Sequence, residues 1–469
     1  MNGPLAGAKR GTALVLDPID TIVTMDDDSR EIADGHLAIR DGIIVAVGPG
    51  RAGPEWDDAP HVPCHGAVAI PGLVNTHHHL FQAVSRCAPT TQSVGLAAWL
   101  AHLYPTWATI TPDVVYAGAV TGLAELALSG CTTSVDHLFA FPPGGGPASD
   151  YLAAVVSAAE MIGMRIHLVR GTVDPDPDVG GGVSASLRED PDHALSEMEL
   201  AIDRYHVPGP GSMRMVALGV DALSPKGEPL MREVAGLSRR RGVLRHTHCS
   251  QVQDEVDYCL HWFGCRPVER LIDLGWLDEQ AWVAHAVHVE GRELARLAAT
   301  GAGIAHCPTS NMRLGVGTAP VTGYLAAGMR VGLGVDGSAS NDGGNLLGEA
   351  RQALLAARLR DPDHLLDARS ALRMATRLGA EVLHRPDLGS LCPGRRADIA
   401  IYRLRGVAAA GSANDPVAAL VMGWPPRAEH VLVEGAWVVR DGELLTASES
   451  WAAGMLASVK RGSGVQSAG

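Results

Sequence analysis

The sequence predicts an α/β protein, a (β/α)8 TIM barrel with a small β-sandwich formed by both chain ends. Three observations carry this. The middle of the chain alternates helical patterns with short β-rich runs, the signature of βα units in a parallel sheet. Both ends carry short β-like runs separated by turns, which is all-β material. At 469 residues the chain is too long for one ordinary small domain and suits a barrel of ~250 residues plus a second module.

Near the N-terminus the β-like runs are 11–16, 21–25 and 37–48, the last turning at Arg40-Asp41-Gly42 as a hairpin should. The same texture returns as a strand at 396–402 and a hairpin at 430–441, turning at Glu434-Gly435. Segments 50–60 and 385–394 are rich in Gly, Pro and Asp, as boundaries are. The expected division is therefore 1–66 with 387–450 as the sandwich, 67–386 as the barrel, and 451–469 as a C-terminal helix and tail. Eight barrel strands are predicted, at 68–75, 132–136, 165–170, 213–220, 243–248, 282–285, 303–306 and 330–336. Helices are predicted at 113–128, 192–205, 228–241, 253–263, 267–274 and 292–299, with an amphipathic helix at 370–383 packing on the barrel. Loops 141–147 and 174–182, full of Gly and Pro, are expected to lie over the barrel mouth.

Composition excludes several function classes. With 46% hydrophobic and 19% charged residues the chain can bury a large core, so global disorder is excluded. A net charge of -14 with no basic cluster argues against nucleic acid and acidic membranes, and 4% aromatic content against a base-stacking platform. Eight cysteines without framework spacing, and no signal segment, point to reduced thiols and a cytoplasmic address. No apolar run reaches the ~18 residues of a membrane span.

The chemistry-bearing stretch is Pro71-Gly72-Leu73-Val74-Asn75-Thr76-His77-His78-His79, an apolar strand ending in histidines. His77 and His79 alternate along it, so their imidazoles leave one face while His78 leaves the other. Two converging imidazoles are half of a transition-metal site, and the C-terminal end of a strand is where a barrel keeps its chemistry. Further strands end in His246-Thr247-His248, in His285, in His306-Cys307-Pro308 and in Val335-Asp336-Gly337. Polar residues at one end of several strands are what a metal site at the barrel mouth requires. His288-Val289-Glu290 lacks the Pro-Cys-x-x-Cys of a deaminase zinc signature, and Gly332-Leu333-Gly334 lacks dinucleotide-fingerprint spacing. Cys131, Cys249 and Cys307 have no base at recognisable spacing and are expected to fill the core.

On these motifs, together with His306 to Leu314 and Asp336 to Asp342, the chain resembles the amidohydrolase superfamily. Within it, the metal-dependent deaminases and dechlorinases of nitrogen heterocycles are most similar, namely the guanine and 8-oxoguanine deaminases and the s-triazine hydrolases. The resemblance implies that His77, His79, His248 and Asp336 bind one divalent metal, with Zn²⁺ expected and Fe²⁺ the alternative. It also implies that His285 faces the substrate beside the attacking water, and that Asp336 takes that water's proton. Gln82, Arg86, His306, Asn311 and Ser338 are the expected substrate contacts. The expected partners are a small heterocyclic substrate and, in a homo-oligomer, further copies of the chain, with no nucleic acid and no membrane.

One position departs from the pattern. The relatives carry a glutamate three residues after the strand-five histidine to shuttle a proton, whereas this chain has His248-Cys249-Ser250-Gln251. An amide donates and accepts hydrogen bonds but does not exchange a proton at neutral pH. Gln251 is retained as a catalytic-site residue, and Glu255, a turn further on, is expected to be too distant to replace the glutamate. The resulting expectation is a hydrolytic deaminase of an amino-substituted heterocycle. A triazine hydrolase expelling chloride or alkylamine is the alternative, as is a weakly active metal-binding relative.

Overall fold

The computed structural model describes residues 13–176, 185–221, 223–412 and 414–462. The chain ends meet in one sheet. From the N-terminal side come β1 (Ala13–Val23), β2 (Glu31–Arg40), β3 (Ile43–Pro49) and β4 (His61–Pro71). Eight barrel strands then follow: β5 (Leu73–Asn75), β6 (Cys131–Leu138), β7 (Arg165–Arg170), β8 (Arg214–Gly219), β9 (Leu244–Cys249), β10 (Ala281–His285), β11 (Gly303–His306) and β12 (Val331–Leu333). The C-terminal side returns β13 (Ile399–Arg403), β14 (His430–Val433), β15 (Ala436–Arg440) and β16 (Glu443–Leu444).

The outer sheet is ordered β16-β15-β14-β13-β4-β1-β2-β3, so β4 joins the two ends of the chain. Its two predicted hairpins form at the expected residues. Asp41-Gly42 and Glu434-Gly435 all adopt positive φ, as a type I′ turn demands. The run 21–25 is no separate strand: β1 is continuous from Ala13 to Val23.

The other eight strands close into a parallel barrel, ordered β10-β11-β12-β5-β6-β7-β8-β9. The run 68–75 is split between the two sheets. Val68 and Ala69 pair with β1, and at Gly72 the backbone changes partners: its N–H bonds Asp398 O in the outer sheet, while Leu73 N–H bonds Gly130 O in the barrel. A side chain at 72 would strike Thr132, whose Cγ2 lies 2.3 Å from where a Cβ would sit. Inside the barrel Val74, Val135, Val169, Ala217, Trp282, Ala284 and Ala305 form an apolar layer. Ala380, Val382, Leu383 and Leu388 close it off from below.

The six predicted barrel helices are present within one residue at each end, for example Pro112–Leu128 and Gln253–Phe263. The amphipathic segment 370–383 is two helices, Ala368–Ala375 and Arg377–Val382, because Thr376 leaves helical geometry and its hydroxyl donates to Leu372 O. The C-terminal helix is Glu449–Gly462, and the tail beyond it lies outside the described residues. Among the described residues no helix is long and apolar enough to cross a membrane. All eight cysteines are free, and Cys131, Cys249 and Cys307 are buried.

A buried ion cluster ties the sheet to the floor of the barrel. Arg165, the first residue of β7, donates to both Asp398 oxygens at 2.8 and 2.9 Å and also reaches Glu434. Removing one partner of such a cluster strands the others without water. Arg165→Met is therefore expected to destabilise the protein by about 3–5 kcal/mol. Chemical denaturation is the measurement, and an unchanged unfolding midpoint would count against a load-carrying role for the cluster.

Candidate functional site

Above the apolar layer the strand ends bring a histidine cluster together. His77 and His79 follow β5, His248 lies in β9, His285 ends β10, and Asp336 stands three residues past β12. Asn75 holds the first and last of these strands in step, donating to Ser134 Oγ and accepting from Val335 N–H at 2.9 Å. His285 and Asp336 have φ of 71° and 62°, a left-handed backbone that non-glycine residues avoid and that turns both side chains over the barrel mouth.

Nε2 of His248 lies 3.2 Å from Nε2 of both His77 and His79, and Asp336 Oδ1 stands 3.3 and 3.6 Å from the latter two. The opposite nitrogens fix the protons. His246 Nδ1 faces Trp282 O at 3.0 Å, and a carbonyl only accepts, so that nitrogen carries the proton. His246 Nε2 then accepts from His77 Nδ1–H at 2.8 Å, leaving His77 Nε2 a bare lone pair. His79 Nδ1–H donates to His137 O at 2.7 Å, and His248 Nδ1–H to Asp221 Oδ1 at 2.7 Å. Burial pushes His77, His79 and His246 down from the usual imidazole range, which keeps them neutral. Burial also acts on His248, but the Asp221 carboxylate outweighs it and raises its affinity for positive charge.

Three lone pairs and a carboxylate aimed at one point repel each other unless a cation sits between them. Tetrahedral donors ~2.0–2.1 Å from a zinc ion stand about 3.3 Å apart, the spacing seen here. The residues therefore fit a divalent metal. His137, whose buried ring nitrogens make no hydrogen bond among the described residues, brings one of them within 4.8 Å of those of His77, His79 and His248 and so belongs to the same cluster. Its ring stacks on His248 with centroids 5.3 Å apart.

Asp336 Oδ2 accepts from Ser310 Oγ at 2.5 Å and Ser340 Oγ at 3.0 Å, while Oδ1 accepts from Gly337 N–H. Despite burial, the neighbouring His77 holds its carboxyl well below the usual range. His285 donates Nδ1–H to Asn311 Oδ1 at 2.9 Å and turns Nε2 toward Asp336 Oδ2, 4.0 Å away. Burial pushes His285 down to about 4.

A cavity of about 200 Å³ opens above these groups. Its polar wall includes Gln82, Gln251, Asp174, Asp221 and Ser340, and its apolar wall Leu96, Trp99, Leu100, Tyr104, Trp107 and Leu314. Of the expected substrate contacts only Gln82 lines it. Arg86 is turned away to Glu125 and to Ser338 Oγ at 3.3 Å, and Asn311 is engaged behind His285. His306 is buried below, with neither ring nitrogen partnered among the described residues. His288 is outside the cavity, bonded to Val316 O. Glu255 accepts from Ser250 N–H at 2.8 Å and Gln251 N–H at 2.9 Å, so it caps this turn and does not reach into the site.

Asp174 of the predicted loop lines the cavity beside Val173, which precedes it; residues 177–182 of the loop lie outside the described residues, and 141–147 do not contribute. The sequence reading missed the wall helix Leu96–Trp107, whose apolar pattern carries no chemical signal. It also missed His137 and Asp221. His137 lies in β6 one residue past the predicted 132–136, and Asp221 stands two residues past β8, one past the predicted 213–220.

The amidohydrolase family matches residues 68–438. The chain is 41% identical over 410 residues to 8-oxoguanine deaminase of Pseudomonas aeruginosa, covering 87% of this chain and 90% of that protein. It is 34% identical over 436 residues to hydroxydechloroatrazine ethylaminohydrolase of Pseudomonas sp. (strain ADP), covering 90% of each. The zinc-complexed structure of atrazine chlorohydrolase from Arthrobacter aurescens superposes with a TM-score of 0.90 at 35% identity, over 95% of this chain and 99% of that one.

Purified protein is expected to carry about one equivalent of divalent metal, and the double variant His77→Ala, His79→Ala to lose most of it. His246→Leu, which touches no cavity atom, should weaken metal retention by roughly 10–100-fold in competition with a chelator. Wild-type affinity in that variant would show that His77 needs no partner to present Nε2.

Proposed function

The chain belongs to the amidohydrolase family, and on that footing we propose that it is a metal-dependent hydrolase cleaving an exocyclic C–N bond of a nitrogen heterocycle. A guanine- or 8-oxoguanine-like ring is the favoured substrate, supported by the 41% identity to 8-oxoguanine deaminase. The observation that carries the reading is the convergence of His77, His79 and His248 Nε2 on Asp336, under a cavity with an apolar, aromatic wall. These four residues would hold the ion, Zn²⁺ by the atrazine chlorohydrolase likeness and Fe²⁺ as the alternative. When bound, it supplies Lewis acidity that lowers the pKa of water to ~7.

The protein's own groups do the rest. Asp336 accepts the proton that water gives up on attack, its carboxylate held in place by Ser310, Ser340 and Gly337. His285 turns Nε2 to the same spot and steadies the attacking oxygen. Trp99, Trp107 and Leu314 exclude water and take the faces of a planar ring, while Gln82 and Gln251 face its edge. Leaving amine and ring nitrogen need a proton, and Gln251 supplies only a hydrogen bond. Asp336 passes on both protons that water brings, the first, taken on attack, to the ring nitrogen and the second, taken from the adduct's hydroxyl as it collapses, to the leaving amine. Eight free thiols support a cytoplasmic address. A homo-oligomer completes the proposal.

Gln251 favours one second reading, displacement of chloride or alkylamine from an s-triazine, because chloride departs without a proton. A screen of purines, pterins and s-triazines for ammonia, chloride and alkylamine release, alongside metal analysis, tests both. Ammonia from an aminopurine is the expected result. Triazine turnover alone would move the chain to the second reading, and metal-loaded protein releasing none of the three would sink both.

Asp336→Asn should lower turnover by roughly 10² or more without unfolding the protein. Gln251→Glu is expected to lower activity on the preferred substrate, since a carboxylate offers only acceptors where the amide donates. A rise of about a hundredfold in ammonia release would show instead that a missing shuttle had been restored.

A further inference from the structure

Asp221 reaches the cavity with half of its carboxylate uncommitted. Oδ1 is fully engaged, accepting from His248 Nδ1–H at 2.7 Å and more weakly from His248 N–H and Thr247 Oγ1 at 3.3 and 3.4 Å. Oδ2 accepts no hydrogen bond among the described residues and stands 3.6 Å from His137 Nε2. Asp174 shares this wall, its carboxylate accepting from Ser224 N–H, Ser224 Oγ and Asp176 N–H. Among the described lining residues there is no Lys or Arg.

A second, independent group has the same need. Gln82 is 2% exposed and lines the cavity, and its Oε1 is buried without a partner. An unmet buried acceptor is destabilising until something donates to it. The site thus holds two acceptors, one amide and one carboxylate, to which no described residue donates, and a wall with two carboxylates and no Lys or Arg among its described residues.

We propose that Asp221 is a specificity-determining residue that selects rings carrying an N–H donor, as an amino or lactam edge, on the His248 side of the site. This rests on the reading of the cavity as the heterocycle site. It makes the substrate class donor-edged, neutral or cationic rings. Phosphorylated, carboxylated and otherwise anionic heterocycles are repelled by the two carboxylates, which gives the site a sign preference as well as a shape.

The test uses two triazines and the metal-loaded protein. Melamine presents an amino group at each of its three carbon positions, so an N–H meets Asp221 however it docks. The analogue 2-amino-4,6-dimethoxy-1,3,5-triazine keeps one amino group and offers only acceptors elsewhere. Binding is read from the fluorescence of Trp99 and Trp107 in the cavity wall, which needs no turnover.

Wild type is expected to bind melamine about tenfold more tightly than the dimethoxy analogue, as the loss of one hydrogen bond to a charged group implies. Asp221→Asn keeps an acceptor for His248 Nδ1–H and replaces the free oxygen by a donor, so the preference should vanish or invert at unchanged metal content. An unchanged preference in the variant overturns the proposal. So does wild type binding neither probe, or a variant that loses metal and weakens both probes equally, since Asp221 would then act only by positioning His248. Donor-selective binding without release of any group in the activity screen would leave this inference standing and sink the proposed reaction.

Discussion

The site depends on hydrogen bonds made at the far side of each imidazole. A histidine can offer either nitrogen, and convergence on one point requires that all three rings offer the same one. Trp282 O acting through His246, His137 O and the Asp221 carboxylate each claim one Nδ1–H. These partners come from β6, β8, β9 and β10 or the residues just beyond, so the closed barrel is what sets the protonation pattern of its own rim. The apolar layer below keeps His77 and His79 neutral by denying them water, while the Asp221 carboxylate pulls His248 the other way.

Most of the fold was legible because barrel strands and helices announce themselves by period and by turn residues. The eight strands lie where the runs of β-branched and small residues lie, and the six helices start and stop within a residue of the predicted bounds. What was not legible is contact between sheets. Residues 68–75 read as one strand because the pattern is continuous, and only the packing of Gly72 on Thr132 and its bond to Asp398 O reveal the break. Thr376 breaks a helix for a comparable reason, a side-chain bond to the preceding turn that no periodicity encodes.

The candidate site divides along the same line. His77, His79, His248, His285 and Asp336 stand out in sequence because charge and imidazole at strand ends are unusual. Arg86, His306, Asn311 and Ser338 were expected beside substrate but do not line the cavity, and the difference is one of direction that a motif does not carry. Asp221 and His137 were overlooked for the opposite reason: His137 lies inside a strand read too short, and Asp221 stands two residues past the end of its strand, where no period marks it.

The change of backbone partners at Gly72 has a kinetic meaning. The strand delivering His77 and His79 is only three residues long, and what precedes it is clamped by β13, a segment far away in sequence. Pairing so remote carries more loop-closure entropy than pairing between neighbouring strands. A ribosome-bound chain that has completed all eight barrel strands has β1 to flank β4 on one edge and still lacks β13 on the other. The second edge of the strip that leads to His77 and His79 is thus supplied only by the return of the chain to its own beginning.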